Sequence, residues 1–223
     1  MKAAIITILG LAMMLLAPAE CQSAQSYSDQ AYSYFLSGNY ELAATTYDRA
    51  IQLEPNSTAL WNNKGRALAM LQRIDQAIYC FDRSIAINPN DPESLNLKAI
   101  ALSQGLKMDD QAILLFDRAL AINSSYFDAW NGKGMALANL GDTAGALQCF
   151  ENAVQMRPRD PQAWNNKGVV LLKMQRYQEA LDCFDQALSI DPLHEAALQN
   201  KESTLEAMKE PATLRLGSSA ASL

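Results

Sequence analysis

The chain has 223 residues, 49% apolar and 19% charged, which is enough to bury a sizeable core and is neither disordered nor fibrous in composition. Eighteen Lys and Arg against 24 Asp and Glu leave a net charge of −6, which argues against attraction to nucleic-acid phosphates or anionic lipid as the driving force of binding. With one histidine, His194, and no cysteine pair at metal-ligand spacing, no catalytic residue, metal or cofactor is expected.

The N-terminus reads Met1-Lys2, an apolar run from Ala3 to Ala17, then Ala17-Pro18-Ala19. A positive end, an apolar centre and an A-x-A site predict a secretory signal peptide over 1–19, followed by a polar leader over 20–26. An uncut anchor is the second reading, although the stretch from Ala3 to Ala19 is at the short end of what a membrane-crossing helix needs. Lipidation of Cys21 is a third. Glu20 before it departs from the small residue that the bacterial lipoprotein motif carries. The expectation is an exported chain that is secreted or extracytoplasmic and meets the membrane only through this segment.

Beyond it a single period organises the sequence. Trp130 and Trp164 stand one period apart, Trp61 and Trp130 two, and each of the three opens the same phrase: Trp61-Asn-Asn-Lys-Gly, Trp130-Asn-Gly-Lys-Gly, Trp164-Asn-Asn-Lys-Gly. Leu95-Asn-Leu-Lys-Ala fills the gap. A second phrase follows each: Ala77-Ile-Tyr-Cys-Phe81-Asp, Ala112-Ile-Leu-Leu-Phe116-Asp, Ala146-Leu-Gln-Cys-Phe150-Glu and Ala180-Leu-Asp-Cys-Phe184-Asp. A divergent first copy runs through Tyr27, Ala31, Tyr34, Ala43, Tyr47, Ala50 and Pro55. Apolar residues recur at three and four within each copy, as at Trp61, Leu68 and Leu71, which predicts helices, two per copy.

These phrases resemble the tetratricopeptide repeat, with its W-x2-L-G-x2-Y, A-x3-F and closing A and P. Copies are marked at 24–57, 58–91, 92–126, 127–160 and 161–194, the third with one extra residue near Gly105 to Asp110. Lys64, Lys98, Lys133 and Lys167 stand where the family usually has leucine, and Ser124 replaces the closing proline. The expected fold is all-α: a right-handed solenoid of antiparallel helix pairs. Small residues at Gly65, Ala99, Gly134 and Gly168 leave room for Phe81, Phe116, Phe150 and Phe184. Asp91-Pro92 and Asp160-Pro161 read as helix starts. Glu195 to Lys209, with Leu198, Leu205 and Met208 on one side, reads as a capping helix over the last apolar face. Residues 210–223 read as a loose tail.

Three cysteines, Cys80, Cys149 and Cys183, sit at equivalent places of stacked copies, too far apart for disulfides, and read as semi-buried packing residues. Asp109-Asp110 reads as a solvated helix start, His194 as exposed in a turn, and Asn56 and Asn123 as glycosylation sequons in turns. In the resembled family the first helix of each copy lines a concave groove. That implies a ladder of Asn62, Asn96, Asn131 and Asn165, extended by Asn63 and Asn166, with Arg66, Ile100, Met135 and Val169 one turn on, then Phe35, Ala69, Ser103, Ala138 and Leu172. Such a groove is expected to be nearly uncharged and to bind a protein or peptide segment, carboxamides suiting an extended backbone. The competing readings make the amides repeat-to-repeat bonds, or make the chain a structural or assembly protein of the cell envelope.

Overall fold

The computed structural model describes residues 23–209. The expected signal segment over 1–19, Cys21 and the expected tail over 210–223 lie outside them. Eleven α-helices follow one another, and no strand occurs among the described residues. They are α1 (Ala24–Leu36), α2 (Tyr40–Leu53), α3 (Thr58–Met70), α4 (Ile74–Ile87), α5 (Pro92–Ile100) and α6 (Asp109–Ile122). Then come α7 (Phe127–Asn139), α8 (Thr143–Met156), α9 (Pro161–Lys173), α10 (Tyr177–Ile190) and α11 (Glu195–Lys209). The chain thus makes five helix pairs and a final single helix, a solenoid in which each helix packs on its sequence neighbours.

Odd-numbered helices also touch the next odd-numbered helix, α1 to α3 and onward to α9 and α11. That row is therefore the closely spaced, inner wall of the stack. Between the helices of each pair the chain turns through one left-handed residue, Gly38, Gln72, Lys107, Gly141 or Gln175. Gly38 (φ 78°) and Gly141 (φ 86°) adopt it without a Cβ penalty, while the other three carry one. At the helix starts Asp91 accepts from the Glu93 and Ser94 amides and Asp160 from the Ala163 amide. Trp61, Trp130 and Trp164 each donate from Nε1 to an upstream carbonyl, of Pro55, Ser124 and Pro158 respectively, at 2.9 Å, and so pin the turn between pairs.

Phe81, Phe150 and Phe184 are buried against Gly65, Gly134 and Gly168, where an added Cβ would come within 3.0 Å of ring atoms. The third pair differs. Ala99 stands where the second, fourth and fifth pairs have glycine, and the Phe116 ring lies against Gly132 of the next pair, 2.5 Å from where a Cβ would stand. The extra residue of this copy is absorbed inside the first helix, as a π-helical turn over Ala101–Gly105 that continues α5, and not in the turn that follows.

Several expectations are corrected. Asp109 is buried, accepting from the hydroxyl of Ser103 and, at 3.3 Å, from the Asn139 amide, so it is not a solvated start. Cys80, Cys149 and Cys183 are free and buried, and burial pushes each thiol up to about 11. His194 is half-buried and caps α11, its Nδ1 accepting from the Ala197 amide at 3.2 Å. On α11 the buried side is Ala197 and Thr204, while Leu198, Leu205 and Met208 are exposed. Leu205 holds the place in α11 that the buried Leu171 holds in α9, and among the described residues no second helix covers it.

Candidate functional site

The inner wall of α3, α5 and α7 carries a cleft of about 290 Å³ lined by Arg66, Glu93, Asn96, Ile100, Tyr126, Asp128, Asn131 and Met135, among others. It shares Arg66, Leu97, Ile100 and Gln104 with a second, more apolar cleft of about 390 Å³ that reaches Phe35, Met70 and Ile74. The two make one continuous groove across the first to fourth pairs. Of the ladder residues, this groove brings together Arg66, Asn96, Asn131 and Met135. Asn63, Asn166 and Val169 are half-buried on the inner row but line neither cleft.

The expected open ladder of amides is corrected at three of its rungs. Asn62, Asn96 and Asn165 are buried. Asn62 donates to Asp91 at 3.3 Å and accepts from Ser94 at 3.1 Å, and Asn165 accepts from Asn200 at 2.9 Å. Asn166 donates to Asn131 at 3.0 Å. The physical reason is the close approach of inner-row helices, which puts the residue after each Trp or Leu at the seam between pairs. There an amide must find a partner or stand desolvated. Ser84 joins Ser94 at 2.7 Å in the same seam, making a buried polar island between the second and third pairs; the positions equivalent to Ser84 in the other pairs are all alanine.

Nor is the groove nearly uncharged. Glu93 and Asp128 lie on its rim with Arg66. Arg66 stacks over the Phe35 ring at 5.8 Å, and Arg157 approaches Asp128 at 3.8 Å from the side. The field at Tyr126 is negative: burial first, then Asp128, Glu93 and Asp91, push its hydroxyl up to about 12 against a lowering hydrogen bond from Asn96. Glu93, Tyr126, Asp128 and Gln104 were not legible as groove residues. The π-helical turn rotates the chain by one residue, so Ser103 points into the core and Gln104 takes the groove position.

On the far side of each odd helix a second regular array appears. Lys64, Lys98, Lys133, Lys167 and Lys201 each pair with a carboxylate on the preceding even helix: Asp48, Asp82, Asp117, Glu151 and Asp185, at 2.5, 2.6, 2.5, 3.7 and 2.5 Å. The spacing Asp/Glu-x15-Lys was its signal in the sequence. Among the described residues no group of three His, Cys, Asp or Glu is placed to hold a metal.

Three tetratricopeptide-repeat models match the chain, over residues 28–92, 127–160 and 161–193, together more than half of its length. The chain belongs to the tetratricopeptide-repeat family. No curated protein matches it significantly in sequence. Among solved structures this repeat protein is similar to PilW, a widely conserved type IV pilus biogenesis factor, at 20% identity and TM-score 0.73 over 82% of this chain and 89% of that one. It is similar to a thermophilic repeat protein of Thermus thermophilus, at 20% identity and TM-score 0.68 over 82% and 99% of the two chains. YrrB, a repeat protein with an unusual peptide-binding site, aligns at 23% identity and TM-score 0.62 over 85% and 97%. At these identities the likeness is one of fold.

Proposed function

We propose that the protein is a non-enzymatic interaction scaffold that binds a peptide segment of another protein in the inner-wall groove, on the outer side of the membrane. The observation that carries this reading is the continuous groove of α1, α3, α5 and α7, in which apolar Phe35, Leu97, Ile100 and Met135 alternate with the polar groups of Arg66, Asn96 and Asn131. Neighbouring pairs hold these side chains in place, so a partner is bound without first ordering the receptor. The likeness to YrrB, a repeat protein with a peptide-binding site, supports the same reading.

Cross-linking followed by mass spectrometry, on the full chain in its own host, tests it. A partner whose cross-links map to α3, α5 and α7, and whose recovery falls at least tenfold in Arg66→Ala with Met135→Ala at unchanged helical content, is the expected result. Equal recovery from the double variant places the interaction elsewhere. Export is tested by the mature N-terminus: a free Glu20 supports a released protein, whereas a retained or lipidated one supports the envelope-anchored alternative.

A further inference from the structure

One buried inner-row amide oxygen has no answering group. Along the row, the carbonyl of Asn62 is met by Ser94, that of Asn131 by Asn166 and that of Asn165 by Asn200. The Asn96 carbonyl oxygen is buried without a hydrogen-bond partner, in a residue only 3% exposed. The periodicity explains why. The position equivalent to Asn166 and Asn200 in the pair after Asn96 is Gly132. A side chain there would meet the Phe116 ring, which comes within 2.5 Å of where a Cβ would stand. An unpaired buried carbonyl is costly, so a donor from outside gains more here than at a solvated acceptor.

The surroundings say what kind of donor fits. The Asn96 side chain lines the cleft beside the carboxylates of Glu93 and Asp128 and the ring of Tyr126. Glu93 makes no ion pair among the described residues, and Arg66, the one cation of the lining, is drawn toward Phe35. We propose that this cleft is the subsite for a lysine or arginine side chain of the bound partner, its charged head lying between Glu93 and Asp128 and donating to the Asn96 carbonyl once that side chain turns toward the cleft. Leu97, Ile100 and Met135, in the same lining, offer the aliphatic stem an apolar wall. This rests on the groove reading above and adds the sign of charge that the groove selects.

Selection of displayed nine-residue random peptides on the full chain tests it. The expected outcome is a family of peptides sharing one basic residue, with capture that depends on Arg66 and Met135. Glu93→Gln and Asp128→Asn should each weaken a selected peptide about five- to tenfold, more at low salt than at high. Asn96→Leu should weaken it at least tenfold while leaving the melting temperature unchanged or raised, since it removes an unpaired group; a merely structural role for Asn96 predicts a lowered melting temperature and unchanged binding. Groove-dependent peptides that are acidic, or that lack a shared basic residue, overturn this inference and leave the groove reading standing. If no selected peptide depends on Arg66 and Met135, both fall.

Discussion

The third and fifth helix pairs are built on one plan and solve it differently. In the fifth, Trp164 pins the preceding turn, Gly168 accepts the Phe184 ring, Cys183 fills the space beside it, and Asn165 is answered by Asn200. In the third, Leu95 has no indole N–H to give, the Phe116 ring lies against Gly132 of the next pair, Leu115 replaces the thiol, a π-helical turn lengthens the first helix, and the Asn96 carbonyl is left unanswered. Each departure is small. Together they put the polar seam, the irregular helix and the open acceptor at the middle of the groove. The difference teaches that the regular pairs repeat one frame, while the irregular one is where an unmet hydrogen bond and a π-helical turn are retained.

The largest expected effect separates the two ring placements. Phe116 and Phe184 are both almost fully buried, and truncation of either to alanine should cost about 3–5 kcal/mol in urea unfolding. Their couplings should differ. Gly132→Ala alone should cost about 1–3 kcal/mol through the clash with Phe116, and this cost should vanish in the Phe116→Ala background. Gly168→Ala should be relieved by Phe184→Ala and not by Phe116→Ala. Equal coupling of Phe116 to Ala99, read in Ala99→Gly, and to Gly132 would remove the basis for the unanswered Asn96.

Thiol ionisation in alkali should act on the second, fourth and fifth pairs, which carry the cysteines, and not on the third. Cys80, Cys149 and Cys183 hold their protons up to about 11 in the fold against an ordinary value of 9.0, because burial disfavours the thiolate. Between these values the unfolded chain binds fewer protons than the folded one, so stability falls as pH rises. Their contribution is intact below pH 9 and is lost by about pH 11. Replacing all three by alanine should flatten that part of the pH profile of unfolding. What remains is the fall from Tyr47 and Tyr126, whose hydroxyls are pushed from 10.0 to about 12.

The plan of the fold was legible because it is repeated. Trp61, Trp130 and Trp164 with their trailing Asn-x-Lys-Gly, and the four Ala-x3-Phe phrases, state the helix pair several times over, so local noise averages out. The site was legible only in part, for the opposite reason. Arg66 and Met135 follow from the period and stand in the groove, but Asn62 and Asn165, equally periodic, are drawn into the seam by helix approach that no single-chain period encodes. The extra residue of the third copy was visible, yet its place was not. A turn and a π-helical insertion have the same length in sequence, and the choice rests on Ser103 reaching Asp109 across the pair. The exposed side of α11 was misjudged because its apolar residues, Leu198, Leu205 and Met208, occupy positions that a following helix would bury.

The smallest expected effect sharpens the comparison by its uniformity. The lysine–carboxylate array crosses every junction between pairs, including the two that flank the third, with the lysines 18–36% exposed and their partners about half exposed. Solvent screening holds each pair to about 0.5–1 kcal/mol. Asp82→Lys, at the entrance to the third pair, and Asp185→Lys, at the exit of the fifth, should therefore destabilise by equal amounts. Adding Lys98→Asp or Lys201→Asp should restore most of the loss in a double-mutant cycle at low salt and little of it in about 1 M salt, where the screening length drops to about 3 Å. If Asp82→Lys costs several times more than Asp185→Lys, the irregularity of the third pair extends to its outer side. Equal costs would confine it to the inner wall, where Asn96 and Gly132 face the groove.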